Sequence, residues 1–302
     1  MYTVAIKDDG TLWAWGRNSY GQLGNGTTDD KYIPAQVSGD TWISVVSSAM
    51  SDNTVAIKSD GTLWAWGREG SFVGAVDKHI PSPTALTDPV PSSAWIAIFA
   101  GSASGHIAAL KEDGTLWTWG NNEDGQLGDG TSGDPPPNSF VPVTDPDPSI
   151  TWIAASTGGE HTVAIKSNGT LWTWGRNNYG ELGNGTTDYK HIPSPIADPD
   201  SSIAWVAVSA GNAHTVAIKS NGTLWAWGYN NYGQLGDNTI TYSLKPIQIG
   251  KDRWKGVTAG GASTMAIRED GTLWAWGDNR KGQLGDGTTK VRTTPTRVIH
   301  GE

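Results

Sequence analysis

The chain has 302 residues, 17 of them tryptophan and none cysteine, and carries 21 basic against 30 acidic side chains, for a net charge of −9. The absence of cysteine excludes a disulfide scaffold, a thiolate zinc site and a cysteine nucleophile. The acidic balance argues against nucleic acid as the main ligand, because phosphate backbones are bound by dense cationic surfaces. No apolar run is long enough to cross a bilayer, and the amino-terminal residues MYTVAIKDDG meet charge too early for a signal peptide. We therefore expect a soluble chain with no membrane partner.

One phrase, [DN]-G-T-L-W-[AT]-W-G, occurs six times at a spacing of about 50 residues, which is typical of repeat architectures. The first glycine of each phrase anchors repeats 1 to 6, at Gly10, Gly61, Gly114, Gly169, Gly222 and Gly271. A further tryptophan opens a W-[IKV]-x-[VIA] segment before each of repeats 2 to 6, at Trp42, Trp95, Trp152, Trp205 and Trp254. These positions account for every tryptophan, so none is left over for a special role.

Four short strands are predicted in each repeat, and repeat 5 shows them most clearly. In chain order they cover residues 205–209, 214–219, 223–228 and 246–249. The Asn-Gly step between the second and third strands predicts a tight hairpin in which both central residues take a positive φ. Helices are not expected, because the apolar runs are short and interrupted by glycine at fixed places.

Repeated units of four strands in about 50 residues predict a radial array of small sheets, each burying both faces against its neighbours. The predicted fold is all-β: a β-propeller of four-stranded blades, with six repeats, forming one domain over residues 1–302. Six blades are expected, or part of a seven-bladed ring. Alternation along the third strand places its two tryptophans on one face, and we expect these rings to form the core between blades rather than a sugar-stacking platform.

The unit G-x-x-[HS]-T-x-A-[IL]-x-x-[DN]-G-x-L-W-x-W-G-x-N-x-x-G-[QE]-L-G resembles the regulator of chromosome condensation repeat over essentially the whole chain. Its G-[QE]-L-G hallmark is present in five repeats, at 21–24, 125–128, 180–183, 233–236 and 282–285. The resemblance implies a propeller that binds a protein partner through loops on one ring face. The near-identical units and the lack of cysteine favour bacterial-type repeats. One interpretation left open is that the chain is a module of a secreted or surface protein.

Two special roles within that family can be compared with the residues present. A photoreceptor of the family enters the second strand through G-W-R-H-T, whereas the matching residues 158–162, 211–215 and 260–264 contain neither Trp nor Arg. Photoreception is therefore disfavoured. A chromatin-bound exchange factor of the family resembles this chain only in the generic repeat, because the basic amino-terminal tail is absent and the chain is acidic. That role is also disfavoured.

Three histidines, His106, His161 and His214, share one position eight residues before the anchor glycine. Tyr2, Asn53 and Ser263 occupy the same position in repeats 1, 2 and 6. A polar residue that reaches back to the preceding glycine turn explains all of these variants, so we expect a structural role, no metal and no cofactor.

Repeats 2 and 3 depart most from the pattern. Residues 67–74 are one residue shorter than 16–24 and lack the Gln-Leu pair, and repeat 3 carries a proline-rich loop at 132–140. Loops that depart from a repeat can form a recognition surface, although drift in an unconstrained loop is the alternative. The candidate partner-binding residues, with the two phenylalanines as exposed anchors, are Arg68, Glu69, Phe72, Lys78, His79, Asn138 and Phe140.

The function expected from these observations is a non-catalytic protein-interaction propeller, since no acid, base and nucleophile converge in any motif. The alternative is a carbohydrate-binding propeller, favoured by the loop tyrosines Tyr20, Tyr179 and Tyr232 that precede G-[QE]-L-G. The chain starts at a second strand and stops before another W-x-x-V segment. One blade is therefore expected to be a strand short, with an unpaired edge beside Val4 or Val298 where the chain can self-associate.

Overall fold

The computed structural model describes residues 1–48, 52–68, 79–101, 105–133 and 139–298. In these ranges the regular elements are β-strands, and no helix there is long and apolar enough to cross a bilayer. The chain divides into two compact units. Unit 1 is Met1–Ala100, Ser104–Asn122 and Asp134–Val143; unit 2 is Gly101–Ala103, Glu123–Gly133 and Thr144–Glu302. The single domain expected over the whole chain stays a prediction.

Unit 1 contains two antiparallel sheets. Sheet 1 has six strands, in the order β1 (Tyr2–Ile6), β2 (Thr11–Gly16), β3 (Lys31–Ser48), β4 (Asn53–Lys58), β5 (Leu63–Arg68) and β6 (His79–Ala85). Sheet 2 has four, β7 (Trp95–Ala100), β8 (His106–Lys111), β9 (Leu116–Gly120) and β10 (Val141–Pro142).

Unit 2 contains three antiparallel sheets of four strands, each following chain order. Sheet 3 is formed by β11 (Trp152–Thr157), β12 (His161–Lys166), β13 (Leu171–Gly175) and β14 (Lys190–Pro195). Sheet 4 is formed by β15 (Trp205–Ala210), β16 (His214–Lys219), β17 (Leu224–Gly228) and β18 (Ser243–Gln248). Sheet 5 is formed by β19 (Trp254–Ala259), β20 (Ser263–Arg268), β21 (Leu273–Gly277) and β22 (Arg292–Arg297).

The all-β propeller fold is confirmed, but the expectation of six blades, or of part of a seven-bladed ring, is wrong: the structure has five. The reason lies in β3, an uninterrupted strand of 18 residues. Its first part pairs with β2, from Lys31 opposite Gly16 to Thr41 opposite Thr11. Its second part, starting at Trp42, pairs with β4. Because one strand serves repeats 1 and 2, both repeats lie in a single sheet.

The strand β1 is the terminal strand of sheet 1 and pairs only with β2 among the described residues. Thr3 and Ala5 of β1 are exposed, whereas the corresponding strands β12 and β16 are buried along their whole length. Val4 is half-buried and packs on the core of sheet 1. The self-association expected at this edge stays a prediction.

The hairpins form where the sequence predicted them, with one difference in their backbone. Each anchor glycine has a positive φ, between 79° and 86°. The expectation of a positive φ at both central residues is wrong, since the described non-glycine residues with positive φ are Asp52 and Asn238. In repeat 5, Asn221 instead accepts hydrogen bonds from the backbone N and Oγ1 of Thr223, at 3.1 and 2.7 Å. The turn is a longer loop closed by a left-handed glycine, the second commonest hairpin type.

The paired tryptophans connect successive repeats, as the core interpretation predicts. The second tryptophan of the phrase is almost completely buried from repeat 2 onward, at Trp66, Trp119, Trp174, Trp227 and Trp276. In repeat 5 its indole Nε1 donates to the backbone oxygen of Glu181, in the G-E-L-G turn of repeat 4, at 2.8 Å. The first tryptophan is less buried, and its Nε1 donates to the threonine two residues earlier. In repeats 4 and 5 both indoles therefore satisfy their polar atoms while burying their rings.

Each of sheets 2 to 4 has a buried lysine at the end of its second strand, and the contacts of this lysine stabilise the sheet. Lys219 is 1% exposed, and its Nζ donates to Asp198 Oδ1 at 2.6 Å and to the carbonyl oxygen of Asp200. The ammonium also lies 4.5 Å from the ring centroid of Trp205. Lys111 and Lys166 make the same set of contacts. The burial of these lysines was not predictable from the sequence, because a lysine at the end of a strand usually reaches solvent.

Candidate functional site

A cavity of about 410 Å³ lies among the loops of unit 2. Most of its walls come from sheets 3 and 4, and one turn of sheet 5 completes it. Its lining residues are Glu160, His161, Arg176, Tyr179, Glu181, Asn212, Ala213, Tyr229, Tyr232, Gly261 and Ala262. The volume falls in the range of small-ligand and side-chain binding pockets. We refer to it below as the tyrosine cavity.

One part of the wall consists of the turns that enter β12, β16 and β20. The turns are held against one another by backbone hydrogen bonds: Gly159 N donates to the oxygens of Gly211 and Asn212, and Asn212 N donates to that of Gly261. There is no room for a side chain at Gly159, where a Cβ would lie 2.6 Å from the oxygen of Asn212. The turns therefore form a continuous, closely packed wall.

The other part consists of the loops after β13 and β17, and a buried asparagine organises each of them. Asn177 Nδ2 donates to the carbonyl oxygens of Thr186 and Asp188 at 2.9 and 3.1 Å, and its Oδ1 accepts from Leu182 N at 3.0 Å. Asn230 makes the equivalent bonds in the next repeat. These bonds close the loop and hold its tyrosine at a fixed position on the cavity wall.

The aromatic side of the cavity is a cluster of tyrosines. The ring of Tyr179 lies 4.8 Å from that of Tyr229 and 6.3 Å from that of Tyr242, measured between centroids. Tyr232 lies on the same wall, and the guanidinium of Arg280 covers its ring at 4.4 Å. The loop tyrosines that the sequence analysis noted in repeats 4 and 5 therefore line one cavity. Tyr229, which follows β17 directly, was not anticipated.

Glu181 is the buried acidic residue of the cavity. It is 1% exposed, and its Oε2 accepts from Tyr179 N at 2.8 Å. Its Oε1 has no hydrogen-bond partner within the described part of the chain. Burial raises the pKa of this carboxyl above its usual value, whereas backbone hydrogen bonds, including that from Tyr179 N, and the charge of Arg176 act in the opposite direction. The cavity wall thus contains a carboxylate oxygen for which no hydrogen-bond donor is found in the described part of the chain.

A second carboxylate in the wall is already paired. Glu160 forms an ion pair with Nη1 of Arg176. The amide oxygen of Asn178, in the orientation that satisfies both groups, accepts from Nε and Nη2 of the same guanidinium at 3.0 and 3.1 Å. Arg176 is therefore hydrogen-bonded on both sides, and the carboxylate with which it is paired is that of Glu160.

His161 and His214 lie below the cavity turns and join neighbouring sheets. His161 Nε2 is 2.9 Å from Thr215 Oγ1, and His214 Nε2 is 3.1 Å from Thr264 Oγ1. A Cβ on Gly158 would lie 2.3 Å from Cε1 of His161, so the ring packs directly under its own glycine turn. Burial lowers the pKa of His106 to about 3 and that of His214 to about 4. No group of three metal-binding side chains occurs within the described ranges.

Arg68 and Phe140, the predicted partner-binding residues whose side chains the structure describes, do not line the tyrosine cavity. Arg68 is exposed, and its guanidinium lies 5.0 Å from the ring centroid of Tyr20. Phe140 is half-buried and packs on Trp119 and Trp95, with centroids 4.8 and 6.1 Å away, so it is not an exposed anchor. The remaining candidates, Glu69, Phe72, Lys78, Asn138 and the side chain of His79, lie outside the described residues. Partner binding by this set stays a prediction.

The sequence carries a signal for the tyrosine cavity at residue 181. Residue 181 is glutamate, whereas the other four hallmarks have glutamine at Gln22, Gln126, Gln234 and Gln283. A single acidic exchange within a conserved turn of the repeat, next to a loop tyrosine, marks a position where one repeat differs chemically from the others.

Comparison with known proteins assigns the fold to a family. The RCC1-like domain matches residues 77–302, and the regulator of chromosome condensation (RCC1) repeat matches residues 9–57. The chain belongs to the RCC1-like domain family. The expected resemblance to regulator of chromosome condensation repeats is thereby confirmed.

Relatives of this RCC1-like chain include a receptor and a ligase. The ultraviolet-B receptor UVR8 of Arabidopsis thaliana is 32% identical over 241 residues, covering 78% of this chain and 52% of the receptor. The E3 ubiquitin-protein ligase HERC2 of Homo sapiens is 30% identical over 249 residues, covering 81% of this chain and 5% of the ligase. The chain thus spans about half of the first relative and a small part of the second.

Among solved structures, yeast RCC1 (Prp20), crystallised with Kap60 bound, has a TM-score of 0.84 and 21% sequence identity. The likeness covers 99% of this chain and 73% of the yeast chain, and it shows a shared fold. The expectation of bacterial-type repeats is not borne out, because these similar proteins come from a plant, a human and a yeast.

Proposed function

We propose that this RCC1-like chain is a non-catalytic protein-binding module, and that its partner docks on the loops around the tyrosine cavity. The observation that carries the proposal is the convergence of Tyr179, Tyr229 and Tyr232 on one cavity wall. Tyrosine is enriched at the centres of protein interfaces, where a rigid ring buries much apolar area and its hydroxyl group bonds to water or to the partner.

The way the cavity is built supports a binding role. Its walls are loops, but each loop is fixed by a buried asparagine, Asn177 or Asn230, and by packing of its turns. A preorganised surface binds with a smaller loss of conformational entropy than a mobile one. Catalysis would need a base or nucleophile facing a substrate site, and Glu160, the carboxylate nearest the solvent side, is already held by Arg176.

Affinity capture from an extract of the source organism tests this proposal. We compare the wild-type chain with a Tyr179→Ala/Tyr232→Ala double variant, and use Tyr32→Ala as the matched control, since Tyr32 is 92% exposed in β3 and does not line the cavity. A protein retained by the wild type and the control and lost by the double variant is expected. Equal retention by all three proteins would contradict docking at the cavity.

Carbohydrate binding remains the second candidate, and the tyrosine cavity favours it specifically. Sugars are held by aromatic faces together with carboxylate and amide groups, and Glu160 and Asn212 stand beside the tyrosines. The same three proteins applied to a glycan array distinguish the two functions. A lectin would give glycan signals that disappear in the double variant, whereas the protein-binding proposal expects no glycan signal that depends on these tyrosines.

A further inference from the structure

The side chain at residue 181 differs from its counterparts in the other repeats in one functional group. In repeats 1, 5 and 6 the glutamine Oε1 accepts a hydrogen bond from the backbone N two residues earlier. Glu181 keeps this bond through Oε2. Its second oxygen therefore stands where the other repeats have an NH₂ group, which in repeat 1 donates from Gln22 to Asp52 Oδ1 at 3.2 Å. A donor has been replaced by a charged acceptor.

No partner for that acceptor is found in the described part of the chain, although the residue is 1% exposed. A buried carboxylate oxygen without a donor is unfavourable, and such groups in native proteins call for a specific explanation. The nearby cation, Arg176, is held by Glu160 and Asn178. Within the described residues no cation is left to pair with Oε1, so a cation from outside the chain would complete its contacts.

The aromatic wall indicates which cation fits. The loop tyrosine occupies the same place in repeats 1, 4 and 5, and in two of them an arginine of the chain covers its ring. Arg17 and Arg68 lie 5.3 and 5.0 Å from the ring centroid of Tyr20, and Arg280 lies 4.4 Å from that of Tyr232. Tyr179 contacts the rings of Tyr229 and Tyr242 instead. Among the described contacts, no arginine of the chain lies over the ring of Tyr179, in contrast to the rings of Tyr20 and Tyr232.

We propose that the tyrosine cavity binds an arginine side chain of the partner, with its guanidinium against the rings of Tyr179 and Tyr229 and its positive charge facing the carboxylate of Glu181. This inference rests on the protein-binding function proposed above and names the group that the cavity recognises. A guanidinium offers both the planar face that stacks on tyrosine and the donors that a carboxylate needs. A cavity of about 410 Å³ is large enough for the whole side chain.

The test is an NMR titration of ¹³C-tyrosine-labelled protein at pH 7 with two pentapeptides, acetyl-Gly-Gly-Arg-Gly-Gly-amide and its citrulline counterpart. Citrulline has the shape of arginine without its charge. We expect the arginine peptide to shift the signals of Tyr179 and Tyr229 and to bind at least about tenfold more tightly than the citrulline peptide, a difference that corresponds to about 1.4 kcal/mol.

Two variants assign the effect to Glu181. Glu181→Gln restores the side chain present in the other hallmarks, so it keeps the turn, and we expect it to lower the affinity for arginine to that for citrulline. Glu269→Gln removes the same charge from an exposed hairpin residue outside the cavity and is expected to change nothing.

Equal binding of the arginine and citrulline peptides, binding of neither, or unchanged arginine binding in Glu181→Gln would overturn the inference. These outcomes are distinguishable from failure of the proposed function. A protein captured by the wild type and lost by the Tyr179→Ala/Tyr232→Ala variant would still support docking at the cavity through another kind of group.

Discussion

Residue 181 is glutamate where the other four hallmarks have glutamine, and this difference makes stability depend on pH. The buried carboxyl of Glu181 has a raised pKa in the folded protein, so the folded state retains a proton over a pH range in which the unfolded state has lost it. Stability is therefore highest below the unfolded pKa and falls as the pH rises through the folded pKa.

Glu181→Gln removes this titration and restores the amide of the other repeats. We expect the variant to be more stable than the wild type at pH 7 by about 1 kcal/mol, the usual range for relieving an unpaired buried group, and to lose this advantage near pH 4. Urea unfolding at the two pH values measures the difference. If Glu181→Gln were more stable than the wild type by the same amount at both pH values, the buried carboxyl of Glu181 would have a hydrogen-bond partner.

Lys219 is the opposite case, a buried charge whose contacts are complete. It is paired with Asp198 and stacked on Trp205. Lys219→Ala leaves the carboxylate of Asp198 without its cation, and removing one member of a buried pair typically lowers the free energy of unfolding by about 3 kcal/mol.

The exposed Lys245 in β18 is the matched control, because Lys245→Ala removes the same group from the surface. Urea unfolding should shift the midpoint of Lys219→Ala well below that of the wild type and leave Lys245→Ala within about 0.5 kcal/mol. Similar midpoints for the two variants would mean that the buried lysine contributes no more than a surface one.

Among the elements, the hairpin between the second and third strands depends on its left-handed glycine. Gly222 has a φ of 79°, and an added Cβ would meet only the flexible side chains of Arg253 and Glu269. The penalty for a side chain here comes from the backbone conformation rather than from crowding, and is about 1 kcal/mol.

Gly256, in β19, is the control for this prediction, since it has an ordinary φ and open space around its Cβ position. We expect Gly222→Ala to lower the thermal midpoint and Gly256→Ala to leave it unchanged or slightly raised. The turn assignment fails if the two alanine variants melt at the same temperature.

The elements that the sequence predicted are those fixed by local chemistry. Alternating apolar residues and the glycine of the turn define β16 and β17, and both strands formed at the predicted positions within one residue. The blade count depended on β3. Residues 31–48 include Pro34 and Gly39, which are typical of a linker, so only the hydrogen bonds of the folded protein reveal one continuous strand.

The tyrosine cavity was only partly predictable for a similar reason. Tyr179 and Tyr232 were identifiable from their place in the repeat, but their meeting with Tyr229 depends on how the loops of sheets 3 and 4 fold against each other. The buried position of Glu181 likewise depends on the indole of Trp227, which donates to its backbone oxygen. The pattern within one repeat does not show which loop side chains of neighbouring repeats meet.

The edge strand β1 carries a prediction about association. An unpaired strand edge is a template for another strand, and Ala5 is exposed on β1. If β1 pairs with a second copy, sedimentation velocity should show concentration-dependent dimers of the wild type and of Ala5→Val, and monomers of Ala5→Lys, because a charge blocks edge pairing. Dimers that persist in Ala5→Lys, or a wild type that stays monomeric throughout, would contradict pairing at this edge.

At the scale of the molecule, the net charge of −9 agrees with a partner that presents arginine. Complementary charge accelerates encounter and makes association sensitive to salt. The fold alone does not specify such a partner, because one fold hosts many functions and binding residues lie mostly on loops.

Site-specific photocrosslinking tests the central claim, that a protein partner docks at the tyrosine cavity, most directly. Benzoylphenylalanine is placed at residue 229, inside the cavity, or at residue 32, on exposed β3, and each protein is irradiated in an extract of the source organism. Docking at the cavity predicts one protein crosslinked from residue 229 and not from residue 32, through a peptide that contains arginine near the crosslink. Crosslinks of equal yield from both positions, or none from residue 229, would contradict it.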